Sequence, residues 1–175
     1  MKFWLINFAA FEAGWLACVV GAANGMPWLG LVAVAIAIAL HLKLCANPNH
    51  EIRLIMLAVA MGLVFDSLLV SSGWLKYPNG LMAAGIAPYW ILAMWALFAT
   101  TLNGSMAWIK ANLGFAALMG AIFGPLSYMA GQRLGGLEFI DTTSSIIALA
   151  VIWSIAMPLL VIAARRFDGS RPAPA

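Results

Sequence analysis

"MGLVFDSLLVSSGW", residues 61–74, places Asp66 inside a run that otherwise has the composition of a membrane interior. Whether that carboxyl group lies in water, in a soluble core or in lipid decides the fold. Composition answers first. Of 175 residues, 65% are hydrophobic and only 9% are charged, and the mean hydropathy is +0.99. A soluble domain usually carries about 25% charged residues. A chain of this size cannot hide so much apolar surface from water, so lipid has to cover most of it. The expected fold is all-α: a polytopic membrane protein built as a six-transmembrane-helix bundle.

Crossing the hydrocarbon takes roughly 20 apolar residues in a helix. Six segments meet that length: 3–23, 27–45, 53–74, 88–109, 112–131 and 144–164. Turn chemistry separates them. "ANGMP" ends the first, "ANPNHE" precedes the third, "KYPNGLMAAGIAP" precedes the fourth, and "GQRLGGLEFIDTTSS" precedes the sixth. The fourth and fifth are divided only by "NGSMAWIKAN". Residues 1–166 therefore read as a single transmembrane domain. Residues 167–175, "FDGSRPAPA" with the preceding arginines removed, read as a short, disordered cytoplasmic tail. The N-terminal segment resembles a signal peptide in its apolar run, but Glu12 interrupts that run and only Lys2 precedes it, so it reads as a retained first helix.

Basic residues give the direction. With six spans, Lys2, Lys43, Arg53, Lys110, Arg165, Arg166 and Arg171 fall on the side of the termini, against Lys76 and Arg133 on the other. Both termini are expected in the cytoplasm of a multi-pass protein. Small-residue stripes, Ala10–Gly14–Cys18–Gly21 and Gly120–Gly124–Gly131, are expected at tight helix contacts, with a homodimer face as the alternative.

Counting helix rise from the cytoplasmic ends orders the polar groups by depth. Asn7, His41 and Asn103 fall at about 6–8 Å, Glu12 and Thr100 at about 12–14 Å, Asp66 at about 18–20 Å, and Ser127 and Tyr128 at about 21–24 Å. A charge at the bilayer centre costs about 2.5–3.5 kcal/mol on insertion scales, so Glu12 and Asp66 are expected to face the interior. The candidate interior site is Glu12, Asp66, Thr100, Asn103, Ser127, Tyr128 and Arg133. Arg133 has either the outer surface, Asp66, or Glu138 and Asp141 within reach. The plain alternative is that these groups only tie helices together.

No complete catalytic motif appears. Ser127 has no histidine base nearby, since His41 falls about 15 Å lower. "GQRLGG" follows a membrane helix and does not match a nucleotide fingerprint. Cys18 and Cys45 form no disulfide framework, and two histidines are too few for a buried haem or zinc cluster. No cofactor and no metal are expected, and no basic stripe suggests nucleic acid.

Four pieces, "NFAAFEAGWLACVVGAA" (7–23), "FDSLLVSSG" (65–73), "PYWILAMWALFATTLNGSMAWI" (88–109) and "GPLSYMAGQRLG" (124–135), stand in this order along the chain. Together they resemble a bacterial inner-membrane family, domain of unknown function (DUF) 2878, over nearly the whole chain. The resemblance implies a bacterial membrane protein and supplies no activity or cofactor; it leans toward genes neighbouring lipid-modifying enzymes. The leading expectation is an accessory or lipid-binding component of envelope lipid metabolism. A small proton-coupled transporter, suggested by the interior carboxylates and an expected break at "FGPLSY", and an intramembrane lipid-modifying enzyme using Asp66, Tyr128 and Arg133 are the alternatives. Expected partners are the lipid bilayer and a lipid ligand or membrane enzyme, with a homo-oligomer left open.

Overall fold

The computed structural model describes residues 3–170. Six helices follow in order: α1 Phe3–Ala23, α2 Trp28–Leu44, α3 Pro48–Ser71, α4 Tyr89–Leu102, α5 Leu113–Arg133 and α6 Thr142–Arg166. A short 3-10 helix, Ala107–Ala111, precedes α5, and two-residue strands β1 (Leu75–Lys76) and β2 (Glu138–Phe139) pair antiparallel. This is an all-α polytopic membrane bundle. Four helices, α1, α3, α5 and α6, are long and apolar enough to cross a membrane. The bundle is inside-out by soluble standards: Ile36, Met56, Phe123 and Ile147 are each more than half exposed, a surface suited to lipid.

The helix ends have local causes. Gly25 takes φ 73° in the turn between α1 and α2, a conformation that costs glycine little. Pro48 opens α3, where its missing N–H costs nothing. The Asn112 side chain accepts from Phe115 N to cap α5. Asp141 accepts from Thr143 N and Ser144 N to cap α6.

Sequential helices pair as antiparallel hairpins, α1 with α2, α3 with α4, and α5 with α6. Helix α4 is the centre. It also touches α1, α2 and α6, and nine of its 14 residues are buried. At 1.5 Å per residue it is only about 21 Å long. The expected span 88–109 therefore ends early. The Thr100 and Thr101 hydroxyls bond back to Leu97 O and Phe98 O. The chain then turns at Asn103–Gly104, where a Cβ on Gly104 would meet Asn7 of α1. Helix α3 starts earlier than expected, at Pro48 instead of residue 53, and α5 runs unbroken through Pro125, so the expected break at "FGPLSY" is absent.

Both described chain ends lie at one end of the bundle, called the terminal end below; the β1–β2 ribbon marks the opposite, distal end. The expected tail begins at 167, yet Phe167–Ser170 is packed and not loose. Asn47 N donates to Gly169 O at 3.0 Å, and Gly169 is buried. The remainder of the expected tail, 171–175, lies outside the described residues. The small-residue stripes are internal contacts. A Cβ on Gly14 would meet Leu97 at 2.6 Å, and one on Gly30 would meet Cys18 at 2.7 Å.

Candidate functional site

The buried polar residues gather into two centres. The distal one is built on Asp66, which is fully buried. Its Oδ1 accepts from Tyr128 OH at 2.6 Å and Tyr77 OH at 3.1 Å, and its Oδ2 accepts from Trp95 Nε1 at 2.7 Å. Glycines one turn earlier make room for this. A Cβ on Gly62 would land in the Trp95 indole, and one on Gly124 in the Trp153 ring. The two indoles therefore lie flat in glycine slots and stack on each other, 4.8 Å apart and 11° from parallel. Asp66 and Tyr128 each follow their glycine by four residues, on the same helix face. All three donors to Asp66 are neutral, and no cation is among its partners in the described residues.

Tyr77 reaches Asp66 from the loop between α3 and α4. The same loop is fixed by Asn79 Nδ2 to Ala22 O, by Ala87 N to Ser67 Oγ, and by Trp90 Nε1 to Asn79 O. Residues 75–88 thus form a cover over the distal end, and Asp66 is one of its fastenings.

The terminal centre links more elements. Glu51, in the first turn of α3, is fully buried. Its Oε2 lies 3.0 Å from His41 Nε2, and its Oε1 accepts from Asn103 Nδ2 at 2.9 Å and Gly169 N at 2.8 Å. The N-terminal dipole of α3 favours a carboxylate there. Asn103 also donates to Phe167 O and accepts from Lys110 Nζ, which pairs with Asp168 at 2.9 Å. Partial burial pushes the Asp168 carboxyl up, but the Ser170 hydroxyl and the Lys110 ammonium outweigh it and hold it below its ordinary value. One carboxylate therefore fastens the end of α4 and the C-terminal segment together.

His41, Cys45 and Glu51 place their ligand atoms within 4.8 Å of one another, a nitrogen, a sulfur and an oxygen that would suit zinc. The surroundings do not fit a metal. Asn7 Oδ1 accepts from Ser105 N and Ser105 Oγ, which fixes the amide so that its Nδ2 faces His41 Nδ1 at 3.4 Å and donates to Thr100 O. Nδ1 must therefore be the acceptor, and the ring proton sits on Nε2, facing Glu51. A metal on Nε2 would force a proton onto Nδ1, where it meets another donor in place of the usual acceptor. Burial first, then Glu51 and Asp168, push the Cys45 thiol to about 12. The same tautomer also rules out a nucleophilic arrangement, because Cys45 Sγ, 3.5 Å away, faces a nitrogen that is already protonated.

Near this centre, at the surface, Ala107, Lys110, Ala111 and Arg165 line an open recess of about 410 Å³. The Arg165 guanidinium is steered by the Lys110 carbonyl, which accepts from its Nε at 2.9 Å and also from its Nη2. Among the described residues no carboxylate lies in ion-pair range of Arg165.

The expected site therefore divides. Asp66 and Tyr128 meet. Thr100 and Asn103 belong to the terminal centre instead. Glu12 and Ser127 are exposed on the outside of the bundle, which corrects the expectation that they face the interior, and Arg133 is exposed as well, the outer-surface alternative left open for it. Arg133 does not reach Asp66, whose three donors are Tyr77, Trp95 and Tyr128. Tyr77, Trp95, Glu51, His41 and Lys110 complete the two centres without having been part of the expected site.

A sequence model of the family described as "Protein of unknown function (DUF2878)" matches residues 4–159. No curated protein and no solved structure matches the chain. The chain belongs to the DUF2878 family.

Proposed function

We propose that this DUF2878 member is a lipid-binding accessory component of envelope lipid metabolism in the bacterial inner membrane, with its terminal end in the cytoplasm. The orientation rests on Lys43, Arg53, Lys110, Arg165 and Arg166 on the terminal side against Lys76 and Arg133 on the other. The observation that carries the lipid reading is the recess at Lys110 and Arg165. It lies at the end of α6, beside the exposed Trp108, an aromatic of the kind that marks the membrane–water boundary. A lipid phosphate entering there would meet an arginine whose charge no carboxylate among the described residues offsets and whose planar fork suits phosphate oxygens. Basic recesses between helices at the cytoplasmic side are suited to anionic headgroups. Lys110 is shared with Asp168, so Arg165 carries the greater part.

Native mass spectrometry of protein taken from nanodiscs tests this. The wild type should retain an anionic phospholipid in preference to a zwitterionic one, and Arg165→Gln should lose that preference. Equal retention by the variant, or no retained lipid at all, counts against the reading.

A small proton-coupled carrier is the second reading. It lacks the expected broken fifth helix, and its support is Asp66, a buried carboxyl group without a cation that fastens the distal cover through Tyr77. Flux in proteoliposomes that is the same at every proton gradient, for Asp66→Asn and wild type alike, would remove it.

A further inference from the structure

We infer that the lipid-facing side of α1 is a contact between two copies of this chain, closed by Glu12. Helix α1 spends its other side internally, through Asn7, Gly14, Cys18 and Gly21. Glu12 points away from these. It stands nine residues from Phe3 and eleven from Ala23, so it lies about 14–16 Å of helix rise from either end. One turn to each side, Phe8 and Leu16 are 51% and 47% exposed. Among the described residues Glu12 has no hydrogen bond and no ion pair. A lone carboxyl group on a hydrocarbon-facing surface at this depth is among the least favourable placements a membrane protein can have, so something polar has to cover it.

The geometry selects a second copy. Two chains inserted in the same sense and related by a two-fold axis along the membrane normal bring every surface residue to its twin at the same depth. A protonated carboxyl group offers one donor and one acceptor, so two Glu12 side chains satisfy each other with a reciprocal pair of O–H···O bonds. Exposed Ala9 and Ala13 flank Glu12, and small residues let two helix backbones approach. Among the described residues, exposed Ser127 of α5 lies only six residues from that helix's distal end, and Ser154 of α6, near mid-span, has a hydroxyl that already donates to Val151 O at 2.7 Å. A Glu12–Ser154 contact would be head-to-tail and would not close as a dimer. The inference stands apart from the Arg165 recess: loss of lipid retention leaves it untouched, and a monomer leaves the lipid reading untouched.

The test uses the full chain in bilayers, with Cys18 and Cys45 replaced. Ala13→Cys should cross-link to a species of twice the mass under mild oxidation, and Ile122→Cys, on the lipid side of α5, should not. Glu12→Gln keeps one donor and one acceptor and should dimerise. Glu12→Leu should weaken dimerisation about tenfold while leaving thermal unfolding of the detergent-solubilised monomer unchanged, since the exposed side chain has no hydrogen bond or ion pair among the described residues. Single photobleaching steps from wild type at all lipid-to-protein ratios, Glu12→Leu dimerising as tightly as wild type, or Ala13→Cys cross-linking to a different protein would each overturn it.

Discussion

Replacing Asp66 by leucine tests what the distal centre does for the fold. The change keeps the branching of the side chain, with larger methyl groups in place of the oxygens, and removes both acceptors. It strands three donors at once, Tyr77 OH, Trp95 Nε1 and Tyr128 OH. A buried donor left unpaired costs about 1–3 kcal/mol. Tyr77 sits on a cover that can shift toward water, so its share falls at the low end. The other two are held by helix packing, which puts the sum at about 3–7 kcal/mol, a large part of a typical total stability of about 5–15 kcal/mol. Asp66→Asn should differ sharply. Its carbonyl can accept from Trp95, and its amide can donate to the two phenol oxygens, so only the phenol protons need new acceptors, at about 1–2 kcal/mol together. Reversible unfolding in mixed detergent micelles, followed by tryptophan fluorescence, measures both. Tyr77→Phe should raise hydrogen exchange across residues 72–88 with little global loss. If Asp66→Leu unfolds within about 1 kcal/mol of wild type, or Asp66→Asn falls as far as leucine, the three hydrogen bonds do not hold the bundle as reasoned.

Gly62→Ala and Gly124→Ala each push a methyl group into a tryptophan ring, and each should cost about 1–3 kcal/mol of overpacking in the same assay; unchanged midpoints would mean that the stacked indoles are free to move. Gly169→Ala would place a Cβ 2.8 Å from Glu51 Cγ, so amides 167–170 should lose exchange protection while the helices keep theirs; retained protection would argue against the packed C-terminal segment. Cys45, with its thiol pushed up to about 12, should be almost inert to iodoacetamide at pH 8, where only about one thiol in ten thousand is ionised, and its labelling should accelerate with each rise in pH. Rapid alkylation at pH 8 would show that the thiol is not sheltered from water beside Glu51 as described.

Depth was legible in the sequence, and direction around each helix was legible only in part. Counting residues brought Asp66 and Tyr128 to neighbouring levels, and they meet. The same count put Glu12 and Thr100 at one level, yet they face opposite ways. Helix rise supplies one coordinate, and the angle about the axis supplies the other. For α1 that angle was available. Asn7, Gly14, Cys18 and Gly21 recur at helical spacing, and Glu12, two residues before Gly14, lies about 200° away from that face. Ser127 and Tyr128 are neighbours in sequence and so lie about 100° apart, one outside and one inside. Tyr77 was out of reach for a different reason. It sits in a Pro/Gly loop, and no periodicity tells how such a loop folds back. Glu51 read as part of a polar helix start, and only the arrival of Asn103 and Gly169 from distant positions makes it a centre.

The brevity of α4 has a consequence for how the chain enters the membrane. A segment leaving the insertion machinery alone has to satisfy its own backbone across about 30 Å of hydrocarbon. The 14 residues of α4 cannot do so, whereas 88–109 can. In the folded chain the turn at Asn103–Gly104 and the 3-10 helix that follows stand where the Asn7 side chain pairs with Thr100 O and Ser105 N and Glu51 holds the Asn103 amide, so the short α4 is a form that its neighbours hold.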